Sequence, residues 1–112
     1  MKNYWSCGID EVEGWLSQGI EEPLTEVDRF QREAGILGSV MEIGVHQGKF
    51  FIPLALLKRP EEYALGIDLF EDQGKNIDGS GKGDFGAVSA NLEKHVQERS
   101  RVELLRRDSL SL

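Results

Sequence analysis

A chain of 112 residues, 39% hydrophobic and 29% charged, has room for one core that buries roughly two-thirds of the unfolded surface. It is too apolar to stay disordered. Its 13 basic and 20 acidic residues leave a formal charge of −7, and the basic ones are scattered, which excludes a nucleic-acid backbone or an anionic membrane as the main partner. Cys7 is the only cysteine, so no internal disulfide forms and a thiolate metal site has no further ligands. The thiol reads as inert and the compartment as reducing. The first six residues lack the apolar stretch of a signal peptide, and the longest uncharged apolar run, Phe50 to Leu57, is far short of the ~20 residues a bilayer requires. A cytoplasmic chain is expected.

Asp10 and Glu13 suit a helix entry, and Ile9, Val12, Leu16 and Ile20 recur at near-helical spacing, broken by Gly14 and ended by Gly19. Pro23 marks a break. Thr25 with Asp28 resembles a capping pair ahead of a second helix, whose stripe is Val27, Phe30 and Ala34 and whose stop is Gly35. Residues 1–37 thus form a helical segment, read either as a lid over the core or as packing against the sheet edge. Trp5 and Trp15 belong to the same choice, between core or flap packing and a substrate platform.

The pattern changes near residue 38. Val40 to Val45 is a short apolar strand. Gly48 opens a helical run through Leu57 in which Pro53 is tolerable only in the first turn. Tyr63 to Leu69 is a second strand, and a Gly- and Asp-rich loop follows from Asp72 to Gly86. A third helix, entered near Asp84, carries Phe85, Val88, Leu92 and Val96, with His95 at its surface or boundary. Arg101 to Arg106 is a third strand. Strand and helix in strict alternation predict a parallel sheet built by right-handed crossovers, an α/β unit over residues 38–112.

Chemistry concentrates where the strands end. Glu42, Gly44, His46 and Gly48 lie between the first strand and its helix, where glycines admit a ligand to the backbone and the helix start offers amides to an anionic group. Asp68, followed by Leu69, closes the second strand, where a carboxylate can accept both ribose hydroxyls. Asp108, followed by Ser109, comes after the third, within reach of an adenine amino group. Acids after successive parallel strands describe a nucleoside site. In the loop, Gln73 and Asn76 read either as amide contacts to a ligand or as parts of a flexible connection.

At these residues the chain resembles the class I S-adenosylmethionine-dependent methyltransferases. Glu42, Gly44 and Gly48 match the family's acidic-then-glycine signature, Asp68 matches its ribose-binding acid, and Asp108 its adenine-side acid. The small-molecule branch is nearer still, through Glu42-Ile43-Gly44-Val45, the pair Asp108-Ser109 and the loop Phe70 to Asp84. The resemblance covers Val40 to Leu110. It implies a three-layer αβα Rossmann-like fold, of which this chain holds the first half of a seven-strand domain. It implies S-adenosyl-L-methionine as cofactor and a small-molecule methyl acceptor as partner. His46 replaces a glycine found in many relatives, which places a contact with the cofactor carboxylate or a substrate beside a neutral surface role. No residue stands out as a methyl-transfer base.

Other readings stay open. A non-catalytic nucleoside-binding or interaction module would keep the cleft or pair through its exposed sheet edge, giving a homo-oligomer. Another Rossmann-like oxidoreductase is disfavoured because His46 and Lys49 stand where a dinucleotide turn beginning at Gly44 needs glycine.

Overall fold

A computed structural model describes residues 2–17, 19–69 and 84–107. Two helices, α1 (Lys2–Ser6) and α2 (Glu21–Glu33), precede the sheet, with a 3-10 turn at Gly8–Glu11 between them. Strand β1 (Val40–Ile43), helix α3 (Phe51–Leu57), strand β2 (Ala64–Asp68), helix α4 (Phe85–His95) and strand β3 (Val102–Arg106) then alternate as the apolar runs predict. The strands are parallel in the order β1-β2-β3, with Val40, Ala64 and Val102 level across the sheet.

Both crossovers step in the same direction along the sheet. Crossovers of one hand that step the same way bring their helices to the same face, and the residues of both helices share one core. Val40, Ala64, Val102 and Leu104 on that face meet Phe51, Ile52 and Ala55 of α3 and Val88, Leu92 and Val96 around α4. Phe51, Ile52 and Val88 are fully buried, each worth about 1.5–3 kcal/mol of apolar transfer. Gly66 makes the close approach possible. A Cβ there would lie 2.9 Å from the Leu104 side chain and 3.3 Å from Phe51. The opposite face carries Met41 and Ile43, each more than half exposed, and Ile67, which is 1% exposed. Among the described residues the expected α/β architecture is present as a three-strand parallel sheet with both crossover helices on one face.

The front segment departs from its sequence pattern. No helix runs from Asp10 to Gly19 among the described residues: Val12 is extended at φ −107° and ψ 121°, and Gly14 takes φ 141°. Ile9 and Val12 reach the core from the turn instead of from a helical stripe. Pro23, expected as a break, is the third residue of α2, where its missing N–H is one that no helix would pair. The stripe predicted to pack is open instead, with Val27, Phe30 and Ala34 all exposed. What holds α2 is polar. Asp28 pairs with Arg59 at 3.0 Å and Arg32 donates to the Leu57 carbonyl at 3.0 Å.

The acid that organises this corner, Glu62, went unremarked in the sequence. It is 6% exposed and accepts from the Gly38 and Arg59 amides, each at 2.6 Å. Burial pushes its carboxyl upward, but those two amides together with the Arg59 and Arg32 guanidinium groups hold it below the ordinary range. Helix α4 begins as predicted, with Asp84 Oδ1 accepting from the Ala87 amide at 3.0 Å. No helix among the described residues is long and apolar enough to cross a membrane.

Candidate functional site

Glu42 and Asp68 sit near the C-terminal ends of adjacent strands, on the face that the helices cover, as the register of Glu42 with Gly66 dictates. Between β1 and α3 the chain makes a tight turn. The Gly44 amide still pairs with the Ile67 carbonyl at 2.8 Å, and the Gly48 amide closes back on Val45 at 3.0 Å. Gly44 adopts φ 85°, with nothing within 4 Å of where a Cβ would stand, so the space in front of it is open to a ligand. Gly48 also has a positive φ, 94°, but its Cβ would touch Val88 at 3.4 Å. Its smallness serves packing against α4.

His46 adopts φ 58°, a left-handed conformation that a residue with a Cβ enters at about 1–2 kcal/mol. Its amide donates to Asp68 Oδ2 at 2.7 Å, which ties the turn to the end of β2. Its ring centroid lies 6.3 Å from that of Trp15, with the planes at 28°. Leu69, half-buried, follows directly on β2.

Glu42 is the exceptional group. Its Oε1 is buried and has no hydrogen-bond partner. Burial, and then the like charge of Asp68, push its carboxyl up to about 7. Such an oxygen suits a donor or a cation brought by a ligand, since a buried acceptor left unpaired costs about 1–3 kcal/mol. The residues that would hold the amino-acid and ribose ends of an S-adenosyl cofactor therefore fit it: an orphaned acid, an open glycine turn and a second acid one strand along.

One expected element does not form as anticipated. Helix α3 starts with Phe51 and Ile52, both fully buried, and Pro53, which has no N–H. The Ile52 amide is bound by the Gly48 carbonyl at 2.9 Å. The first three side chains of this helix face the core. Asp108 and Ser109, and the loop residues Gln73 and Asn76, lie outside the described residues.

A second cluster occupies the opposite end of the molecule. A cavity of about 590 Å³ is bordered by Tyr4, Glu11, Lys58, Lys94, His95 and Glu98, among others. His95, expected at the surface or boundary, has a side chain only 10% exposed, packed edge-on against Tyr4, with Nε2 3.4 Å from Glu11. Lys94 reaches the same carboxylate at 2.7 Å. The hydrogen bond from Lys94 holds Glu11 below its ordinary range. What permits the burial is the missing side chain at Gly8, where a Cβ would stand 3.0 Å from the His95 ring. Cys7, beside it, is exposed.

Compared with family models, curated proteins and solved structures, the chain matches none.

Proposed function

We propose that the ends of β1 and β2 bind S-adenosyl-L-methionine, and that the chain is the donor-binding portion of a small-molecule O- or N-methyltransferase. The observation that carries this reading is the orphaned, buried Oε1 of Glu42 next to the open turn at Gly44, one strand from Asp68. Glu42 would accept from the cofactor's ammonium group and Asp68 from the ribose, while Gly44 lets the ligand lie against the backbone. The cofactor supplies an electrophilic methyl group on a sulfonium. The chain's contribution is to hold that group in line with an acceptor and to exclude water, effects worth several kcal/mol in general. His46 links the two acids' elements, because its amide fixes the turn onto Asp68.

The test is thermal unfolding of the 112-residue chain with S-adenosylhomocysteine, and with NAD as the matched control. At a hundredfold over its dissociation constant a ligand stabilises by about 2.7 kcal/mol, a shift of roughly ten degrees for a domain of this size. Asp68→Ala should weaken binding by about 1.5–3 kcal/mol. A shift with NAD alone would turn the assignment toward an oxidoreductase. Cooperative unfolding unmoved by either ligand would remove it.

A further inference from the structure

The cavity beside His95 takes no part in the donor site. Its walls come from three segments: Leu56 and Lys58 at the end of α3, Lys94 and His95 at the end of α4, and Tyr4 and Glu11 ahead of the sheet. At about 590 Å³ it has the size of a small-molecule site, roughly 300–1,000 Å³.

The polar groups of this wall are unequally satisfied. Glu11 accepts from Lys94 at 2.7 Å, and Glu98 from the Ser100 hydroxyl and, at 2.8 Å, the Ser100 amide. Those bonds hold both carboxyls below their ordinary range, so both are ionised. The donors are not used up. The His95 side chain is 10% exposed, yet its Nε2 is buried with no hydrogen-bond partner, although Glu11 stands 3.4 Å away. A carboxylate that close favours the tautomer with a proton on Nε2, because a lone pair there would face oxygen lone pairs. Lys58 makes one long bond, 3.5 Å, to the Arg59 carbonyl, and Lys94 serves Glu11, so each keeps an N–H to give. Two lysines and two glutamates cancel in charge, and what is left over is donors. Leu56, Pro60 and Val96 add apolar wall.

We infer that this cavity binds a small organic carboxylate with an apolar body. Its carboxylate takes the place of Glu11 on Lys94 and His95, and Lys58 supplies a further donor. Glu11, whose side chain is 46% exposed, turns to water. In the free chain Glu11 is thus an internal stand-in for the ligand's acid. The inference is independent of the methyl-donor reading.

The experiment titrates the ¹⁵N-labelled chain at fixed pH with hexanoate, with neutral hexanamide and with inorganic phosphate, following amide and histidine-ring signals by NMR. Hexanoate is expected to give saturable shifts at the His95 ring and at the Gly8, Leu56 and Val96 amides. His46, the other histidine, should stay unmoved. Hexanamide, which lacks the charge, and phosphate, which lacks the apolar body, should each bind about tenfold more weakly. Lys94→Met should weaken hexanoate about tenfold. Glu11→Gln, which removes the internal competitor, should tighten it about two- to fivefold. Both changes are at exposed side chains, so the variants should unfold near the parent temperature. Shifts that do not saturate, saturation at His46, or equal affinity for hexanoate and either control overturns the inference. So does unchanged hexanoate binding in either variant.

Discussion

The acids at the two ends of the sheet are treated in opposite ways. At the end where β2 begins, Glu62 is surrounded by two amides and the Arg59 guanidinium, and Asp28 and Glu11 each meet a basic side chain. At the end where β1 and β2 finish, the half-buried Glu42 keeps one oxygen buried and unpaired and faces another carboxylate. The first arrangement stabilises the fold. The second weakens it and becomes favourable only when something else supplies a donor or a positive charge. That difference separates structural acids from the candidate site more sharply than either position in the sequence does.

The largest effect that would sharpen this contrast is expected at Glu62. Glu62→Ala strands the Gly38 and Arg59 amides and leaves Arg59 without one of its two acids. Its expected loss is about 2–4 kcal/mol, read as a lower urea midpoint at unchanged slope. Because the folded carboxyl lies below its ordinary range, its contribution is present above the unfolded pKa. It is lost as the pH falls through the folded value. A midpoint unmoved by the substitution would show that the corner is held by something else.

Glu42 should behave with the opposite sign. Its folded carboxyl is raised to about 7 from an ordinary 4.5, so the folded chain holds a proton that the unfolded chain releases between those values. Stability therefore falls as the pH rises from 4.5 to 7. Glu42→Gln, which cannot ionise, should be more stable than the parent above pH 7 by about 3 kcal/mol and nearly equal to it at pH 4.5. The same variant should bind S-adenosylhomocysteine about tenfold more weakly, the scale of one charge-assisted hydrogen bond. A stability gain with unchanged binding would break the link between the strained acid and the ligand.

A third comparison isolates backbone strain from ligand access. Gly19 and Gly44 have φ of 83° and 85°, and neither has an atom within 4 Å of a Cβ position. Alanine at either should cost the same, about 1–2 kcal/mol. Only Gly44→Ala should reduce S-adenosylhomocysteine affinity in a titration, and equal loss in both variants would assign the effect to stability. The smallest change is expected for Glu11→Gln. Its carboxylate is about half exposed and its pairs with Lys94 and His95 are screened by water. Any lowering of the unfolding temperature should fade in added salt.

How much was legible follows from the range of the interactions involved. Strands β1, β2 and β3 each read as short apolar runs between breakers, and Asp84 reads as a cap because the Ala87 amide that donates to it lies three residues away. Both signals are local. The 10–19 stretch misled because its apolar spacing is helical while Gly14 needs φ 141°, and the core takes up Ile9 and Val12 one by one. Glu62 left no signal, since the Gly38 amide it accepts from is 24 residues away. His95 could have been suspected from its place beside the Leu92 and Val96 stripe. What buries it is Gly8, far off in the chain.

Local sequence by itself determined the alternation of strand and helix, the cap at Asp84 and the placing of Glu42, Gly44 and Asp68 at strand ends. These depend on residue spacing and on backbone preferences within a few positions. Only the tertiary structure decided that both crossover helices share one face, that the first side chains of α3 are buried in the core, and that residues 13–15 reach the turn at His46. Those outcomes depend on the direction of successive crossovers and on contacts between distant segments, which no local pattern encodes.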